Sequence, residues 1–168
     1  MMKNRRSGFT LVELLVAMTI FVVVITIATG SFIRALRTQH QLVSFAAANS
    51  NLSLVLEQMA REIRVGRNFS QLGLDSSLTF INARGENVTY SYDESQQVIF
   101  RQVGSGVSQP LTSDGVAVKA LAFHLQFAGT DGYPARVTIT ASVSPKEAGV
   151  NGSIVHVQTT VSARNIST

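Results

Sequence analysis

The chain has 168 residues, which suits one globular domain plus a membrane anchor. The formal charge of +4 is misleading: Lys3, Arg5 and Arg6 all precede Gly8, and past it 11 basic side chains face 10 acidic ones, a weak basis for nucleic-acid binding despite a pI near 10. The absence of cysteine excludes cysteine nucleophiles, thiolate zinc sites and iron–sulfur clusters, and leaves stability to packing and the sheet ladder.

The first element follows directly. Leu11 to Ile33 is an apolar run of 23 residues. As a helix it spans about 34 Å, enough to cross a hydrocarbon core. A cleavable secretory signal has a shorter apolar segment, with its small residues after that segment. Here Ser7-Gly8 comes before it. The basic residues ahead of the run favour a cytoplasmic N-terminus, although Arg34 and Arg37 follow closely behind. One charge, Glu13, interrupts the run. A carboxylate at mid-bilayer costs about 2.5–3.5 kcal/mol. Glu13 sits near the end of the run, where the cost is lower, but it still asks for a partner.

The order of basic residues, Gly8-Phe9-Thr10-Leu11-Val12-Glu13 and apolar helix resembles the N-terminus of type IV prepilins and type II secretion pseudopilins. The resemblance implies a leader (residues 1–8) cut after Gly8 and N-methylation of Phe9. It also implies a filament-assembly role for Glu13, which would pair with the new amine of Phe9 and set helix register. The implied partners are a prepilin peptidase, an inner-membrane assembly platform, other pilins or pseudopilins, and the membrane. The implied location is the bacterial inner membrane, single-pass, then a periplasmic or cell-surface filament. No cofactor, no enzymatic activity and no direct nucleic-acid binding are expected.

Helical composition continues through residues 34–67. Leu52, Val55, Leu56, Met59 and Ile63 recur at spacings of three and four and form one apolar face. Glu57 and Arg61 stand four apart in the favourable order. Arg61, Glu62 and Arg64 extend a charged face, and Gly66 or Asn68 marks the end. One helix from Phe9 to Arg64 is about 80 Å long. Its first half (9–33) is apolar all round, for lipid or a filament core; its second half is amphipathic, for a domain. Many pilins carry proline where this chain has Gly30. Glycine breaks helices more weakly, by about 1 against 3 kcal/mol. Gly30 is therefore either a point of helix flexibility, with Thr26, Thr29 and Ser31 satisfying loosened backbone groups, or a close-packing residue.

After Phe69 the period becomes two. Six strands are expected: 78–81, 88–92, 98–101, 121–127, 136–143 and 154–163, with turns at Arg84–Asn87 and Asp93–Gln96. Tight turns imply one antiparallel sheet over 68–168, covered by the amphipathic half-helix. The fold class is α+β, and this too is similar to the pilin fold. The stretches Leu56–Arg64 and Val161–Asn165 resemble minor pseudopilins of the GspJ-like and PilW-like type.

No catalytic constellation emerges. His40, His124 and His156 lack the spacing of a metal pair, and the last two fall on polar strand faces. Gly104-Ser105-Gly106 lacks the third glycine of a nucleotide loop. Asp131-Gly132 is a turn signal with too few oxygens for calcium. Five N-x-S/T triplets (Asn51, Asn68, Asn87, Asn151, Asn165) carry no functional weight. The loops Gly104–Gly115 and Pro145–Gly152 are the expected contact surfaces. The competing readings are a signal-anchored envelope protein with an extracytoplasmic β-rich binding domain, a major pilin, and an anchored enzyme.

Overall fold

The computed structural model describes residues 8–71, 75–127, 133–146 and 154–164. Leader residues 1–7, the Asp131-Gly132 turn, Asn151, Asn165 and most of the Pro145–Gly152 loop lie outside them. The chain divides into two compact units, Met1–Leu42 and Val43–Thr168.

A single helix, α1, runs Leu11–Arg64. Within the first unit every described residue is exposed. Phe21, Ile27 and Phe32 each keep over 60% of their surface open to solvent. Leaving that much apolar surface in water costs about 25 cal/mol per Å², so these residues are built for another environment. Thr19, Thr26 and Ser31 donate their hydroxyls to the carbonyls of Leu15, Val22 and Ile27, four residues back. Such bonds hide polar groups inside the helix itself. Two of the hydroxyls expected to serve a loosened Gly30, those of Thr26 and Ser31, are thus engaged, and α1 continues unbroken through Gly30.

In the second unit the helix buries Ala48, Leu52, Val55, Leu56, Met59 and Ile63. Five of these are the periodic apolar residues of the sequence, and Ala48 extends the stripe by a turn. The Glu57–Arg61 pair forms at 3.5 Å but stays largely exposed, so it adds little stability.

Eight strands follow: β1 (Arg67–Ser70), β2 (Ser77–Ile81), β3 (Asn87–Asp93), β4 (Val98–Val103), β5 (Gln109–Pro110), β6 (Val116–Gln126), β7 (Arg136–Pro145) and β8 (Val155–Ser162). They form two antiparallel sheets, ordered β1-β2-β3-β4-β5 and β6-β7-β8. The expected single sheet of about six strands is corrected in two ways. First, β1 and β5 are too short to show alternation, and β5 lies within the Gly104–Gly115 stretch read as loop. Second, β6 does not join the first ladder. It is held to that sheet by separate bonds, Val118 N–H to Gln97 C=O at 2.9 Å and Phe123 N–H to Asp75 C=O at 2.6 Å. Alternation reports which face a residue lies on, not which strand is its neighbour.

Both sheets turn their apolar faces into one core with α1, including Phe80, Tyr90, Ile99, Phe123, Val137 and Ile139. On β7, Val137, Ile139, Ala141 and Val143 are buried as expected, while Ser142, assigned to the polar face, is buried too. Asn82 and Asp93 organise the two turns. Asn82 accepts from the backbone N–H of Arg84 and Glu86. Asp93 accepts from Ser95 and Gln96, and the hydrogen bond from the Ser95 hydroxyl, followed by that from Gln96 N–H, holds its carboxyl below the usual range.

Glu62 joins α1 to the sheet. Expected on a charged face, it lies half-buried against β3 and β4. Arg101 grips it at both oxygens, Nη2 to Oε1 at 2.7 Å and Nε to Oε2 at 3.1 Å. The fully buried Tyr90 donates its hydroxyl to Glu62 Oε2 at 2.7 Å. Burial, then the bonded Glu62 carboxylate, push the Tyr90 hydroxyl far above its ordinary value. The hydrogen bond to Glu62 holds the Arg101 guanidinium more firmly protonated.

The helix ends where the second unit closes over it. Gly66 N–H donates to Ile63 C=O at 3.1 Å, and Arg164 N–H donates to Arg64 C=O at 2.7 Å. A β-carbon on Gly66 would stand 2.6 Å from Phe80 Cδ2 and 2.9 Å from Phe69 Cζ, two rings stacked with centroids 5.4 Å apart. Gly66→Ala is expected to destabilise the second unit by about 1–3 kcal/mol through overpacking. A thermal melt that does not shift would show that the rings give way freely.

Candidate assembly site at the N-terminus

Gly8, Phe9 and Glu13 sit together where α1 begins. Nothing lies within 4 Å of a β-carbon built on Gly8, so the chain's own packing does not demand glycine there. Any such demand comes from outside, at a surface that grips the chain. Phe9 is 79% exposed.

Thr10 is the N-cap. Its Oγ1 accepts from the backbone N–H of Glu13 at 3.2 Å, and its carbonyl accepts from Leu14 N–H at 3.2 Å. Glu13 is therefore the third residue of the helix and the acid of its first turn. A carboxylate there is favoured by the unsatisfied N–H groups and the helix dipole. Thr-x-x-Glu is the sequence of a capping box, of which the threonine half is made here. The sequence signal for this cap is the three-residue spacing of Thr10 and Glu13.

The position defines what Glu13 can do. It is the one ionisable residue between Phe9 and Ile33, on a segment whose described residues are all exposed and otherwise mostly apolar. Phe9 precedes the cap and stands four residues before Glu13 in the chain. Gly30 stands apart, roughly 26 Å further along the helix at 1.5 Å per residue. Nothing lies within 4 Å of a β-carbon built there.

The second unit offers no comparable chemistry among its described residues. His124 and His156 lie on exposed strand positions. No group of three or more His, Asp or Glu is placed to hold a metal ion among the described residues. An open groove of about 440 Å³ is lined by Ser44, Ala47, Ala48, Ser113, Gly115, Val116, Pro145 and Lys146. Lys146 is the charged side chain of this lining.

Residues 3–29 match the family model described as the prokaryotic N-terminal methylation motif. No curated protein and no solved structure matches the chain. Residues 8–29 of the matched segment cover the candidate site, its threonine cap and most of the exposed apolar run. The chain therefore carries a type IV pilin-like class III signal, followed by a long helix and an α+β body of pilin-like fold.

Proposed function

We propose that the protein is a minor pilin or pseudopilin, a non-enzymatic subunit of a type IV pilus or type II secretion filament. It is held in the inner membrane with its N-terminus cytoplasmic. A prepilin peptidase cuts after Gly8, Phe9 is N-methylated, and an assembly platform moves the subunit into a filament through α1. The observation that carries this reading is the match of residues 3–29 to the methylation motif, on a helix whose first unit is apolar and buries no described residue. Resemblance of Leu56–Arg64 to minor pseudopilins supports the minor class; the end of the second such stretch, Asn165, lies outside the described residues.

In this reading the Phe9 amine, exposed only after cleavage, meets the Glu13 carboxylate of its own or a neighbouring helix. Unpaired, that carboxylate is expensive in an apolar core; paired, much less so. Pairing favours one axial offset between packed helices.

Mass spectrometry of the native N-terminus tests the proposal. A chain starting at methylated Phe9 is expected in cells that have the peptidase, and Gly8→Val is expected to leave Met1 in place. An intact Met1 in the unaltered protein would overturn the reading and favour a signal-anchored binding domain.

A further inference from the structure

We propose that Arg34 and Arg37 form a binding site for the phosphate of an anionic phospholipid, at the far end of the apolar run that Glu13 interrupts. The two are isolated charges. Between Glu13 and Glu57 the chain holds no Asp, Glu or Lys, and Arg34 and Arg37 are the arginines there. Both acids lie far outside the three or four residues at which charges on one helix meet. The ion pairs among the described residues are Glu57–Arg61 and Glu62–Arg101, and neither takes in Arg34 or Arg37. Both arginines are exposed.

Depth in a membrane supplies the ligand. α1 is long and apolar enough to cross one. From Glu13 to Arg34 the helix rises about 31 Å. A hydrocarbon core is about 30 Å thick, and a helix tilt of about 20° shortens the rise only to about 29 Å. With Glu13 in the headgroup layer of one leaflet, Arg34 therefore lies in that of the other. Arg37 stands about 4.5 Å further on, still within a headgroup layer about 5–7 Å deep. Three residues apart, the two arginines rise from one side of α1 with β-carbons about 5–6 Å apart. Each guanidinium is a fork that matches two phosphate oxygens, so the pair can close on one phosphate from two sides.

Charge decides among lipids. A zwitterionic headgroup brings its own cation, which competes with the guanidiniums for its phosphate. An anionic headgroup such as that of phosphatidylglycerol brings none, and basic side chains beside a membrane add to its hold. With the N-terminus cytoplasmic, the site faces the outer leaflet of the inner membrane, opposite the side where basic residues ordinarily gather. That choice of leaflet rests on the proposed function; the arginine pair and its ligand rest only on α1 lying in a membrane. A lipid bound there fastens the far end of the apolar run, and drawing the helix out of the membrane breaks that contact.

Native mass spectrometry of the full-length protein tests this, with the protein released from zwitterionic detergent micelles that hold equal amounts of phosphatidylglycerol and phosphatidylcholine. Lys3, Arg5 and Arg6 are changed to Gln throughout, so that the basic leader does not draw the same lipid. Phosphatidylglycerol should be retained in preference. Arg34→Gln/Arg37→Gln, on an exposed helix face, should weaken it by roughly thirtyfold and erase the preference. Arg34→Lys/Arg37→Lys keeps the charge but loses the forks, and should keep a weaker preference. Excess inorganic phosphate at constant ionic strength should not displace the lipid. Intact Met1 in the native protein, together with an arginine-dependent preference, would support this site while overturning the proposed function. Three results would overturn the site: a preference that is absent or survives Arg34→Gln/Arg37→Gln, displacement by inorganic phosphate, or self-association lost in that variant without a lipid preference, which would give the pair to an acid on a second copy.

Discussion

Replacing Glu13 by leucine is expected to leave membrane insertion intact and to cut incorporation into a filament by roughly tenfold or more, a loss of at least about 1.4 kcal/mol. Insertion survives because the substitution removes the one charge from an apolar run. The helix start survives because Thr10 Oγ1 caps the backbone N–H of residue 13, which leucine retains. What disappears is the carboxylate. If it pairs with the Phe9 amine inside a packed bundle, removing it strands a positive charge in an apolar setting, a loss of about 3–5 kcal/mol when the pair is well buried. Glu13→Gln keeps the shape and hydrogen bonding and should fail nearly as badly, because the charge is the point. Thr10→Ala makes the converse test. It removes a cap worth about 1 kcal/mol but no charge, and should weaken assembly less than the Glu13 variants do. The ratio of subunit in sheared filaments to subunit in membranes, read by immunoblot, distinguishes these outcomes. Normal incorporation of Glu13→Leu would remove the register role.

Arg101→Met is expected to lower the stability of the second unit by about 2–3 kcal/mol, the second large effect. Its guanidinium holds both oxygens of Glu62, with side-chain exposures of 20% and 26%. Without it, the Glu62 carboxylate is left partly desolvated, with the Tyr90 hydroxyl still donating to it. Removing one member of such a pair costs more than the pair contributes. The double variant Glu62→Leu/Arg101→Met should therefore recover much of the loss, and Tyr90→Phe alone should cost about 1 kcal/mol. Thermal melts by circular dichroism of the unaltered protein, Glu62→Leu, Arg101→Met and the double variant form the cycle. Additive losses in the double variant would show that Arg101 acts through packing rather than through Glu62.

Much of the molecule was legible from residue order. Leu52, Val55, Leu56, Met59 and Ile63 share a stripe because a helix of 3.6 residues per turn leaves no other arrangement, and all five are buried. Val137, Ile139, Ala141 and Val143 are buried because side chains on a strand alternate. The N-terminal signal is local in the same sense: basic residues, glycine, acid and apolar run lie within one segment, so their spacing in sequence is their spacing along α1. Thr10 belongs to that legible part, since its cap on Glu13 is set by a spacing of three residues.

The remainder required the folded chain. Glu62 reads as one of several charges near the end of α1, and the arginines nearest it in sequence, Arg61 and Arg64, are exposed. Its partners, Tyr90 and Arg101, lie 28 and 39 residues away, and only the packing of α1 on β3 and β4 brings them to it. The division into two sheets is likewise tertiary. Alternation in β6 is the same whether it extends the first sheet or starts a second, because periodicity encodes a face and not a neighbour. The place of β8 at the end of the second sheet follows from that division. The sequence by itself determined the signal, the two characters of the helix and the inward face of the longer strands, all set by interactions a few residues apart. Tertiary structure alone decided which strands became edges and which charge was drawn inside, because those outcomes depend on contacts between segments far apart in the chain.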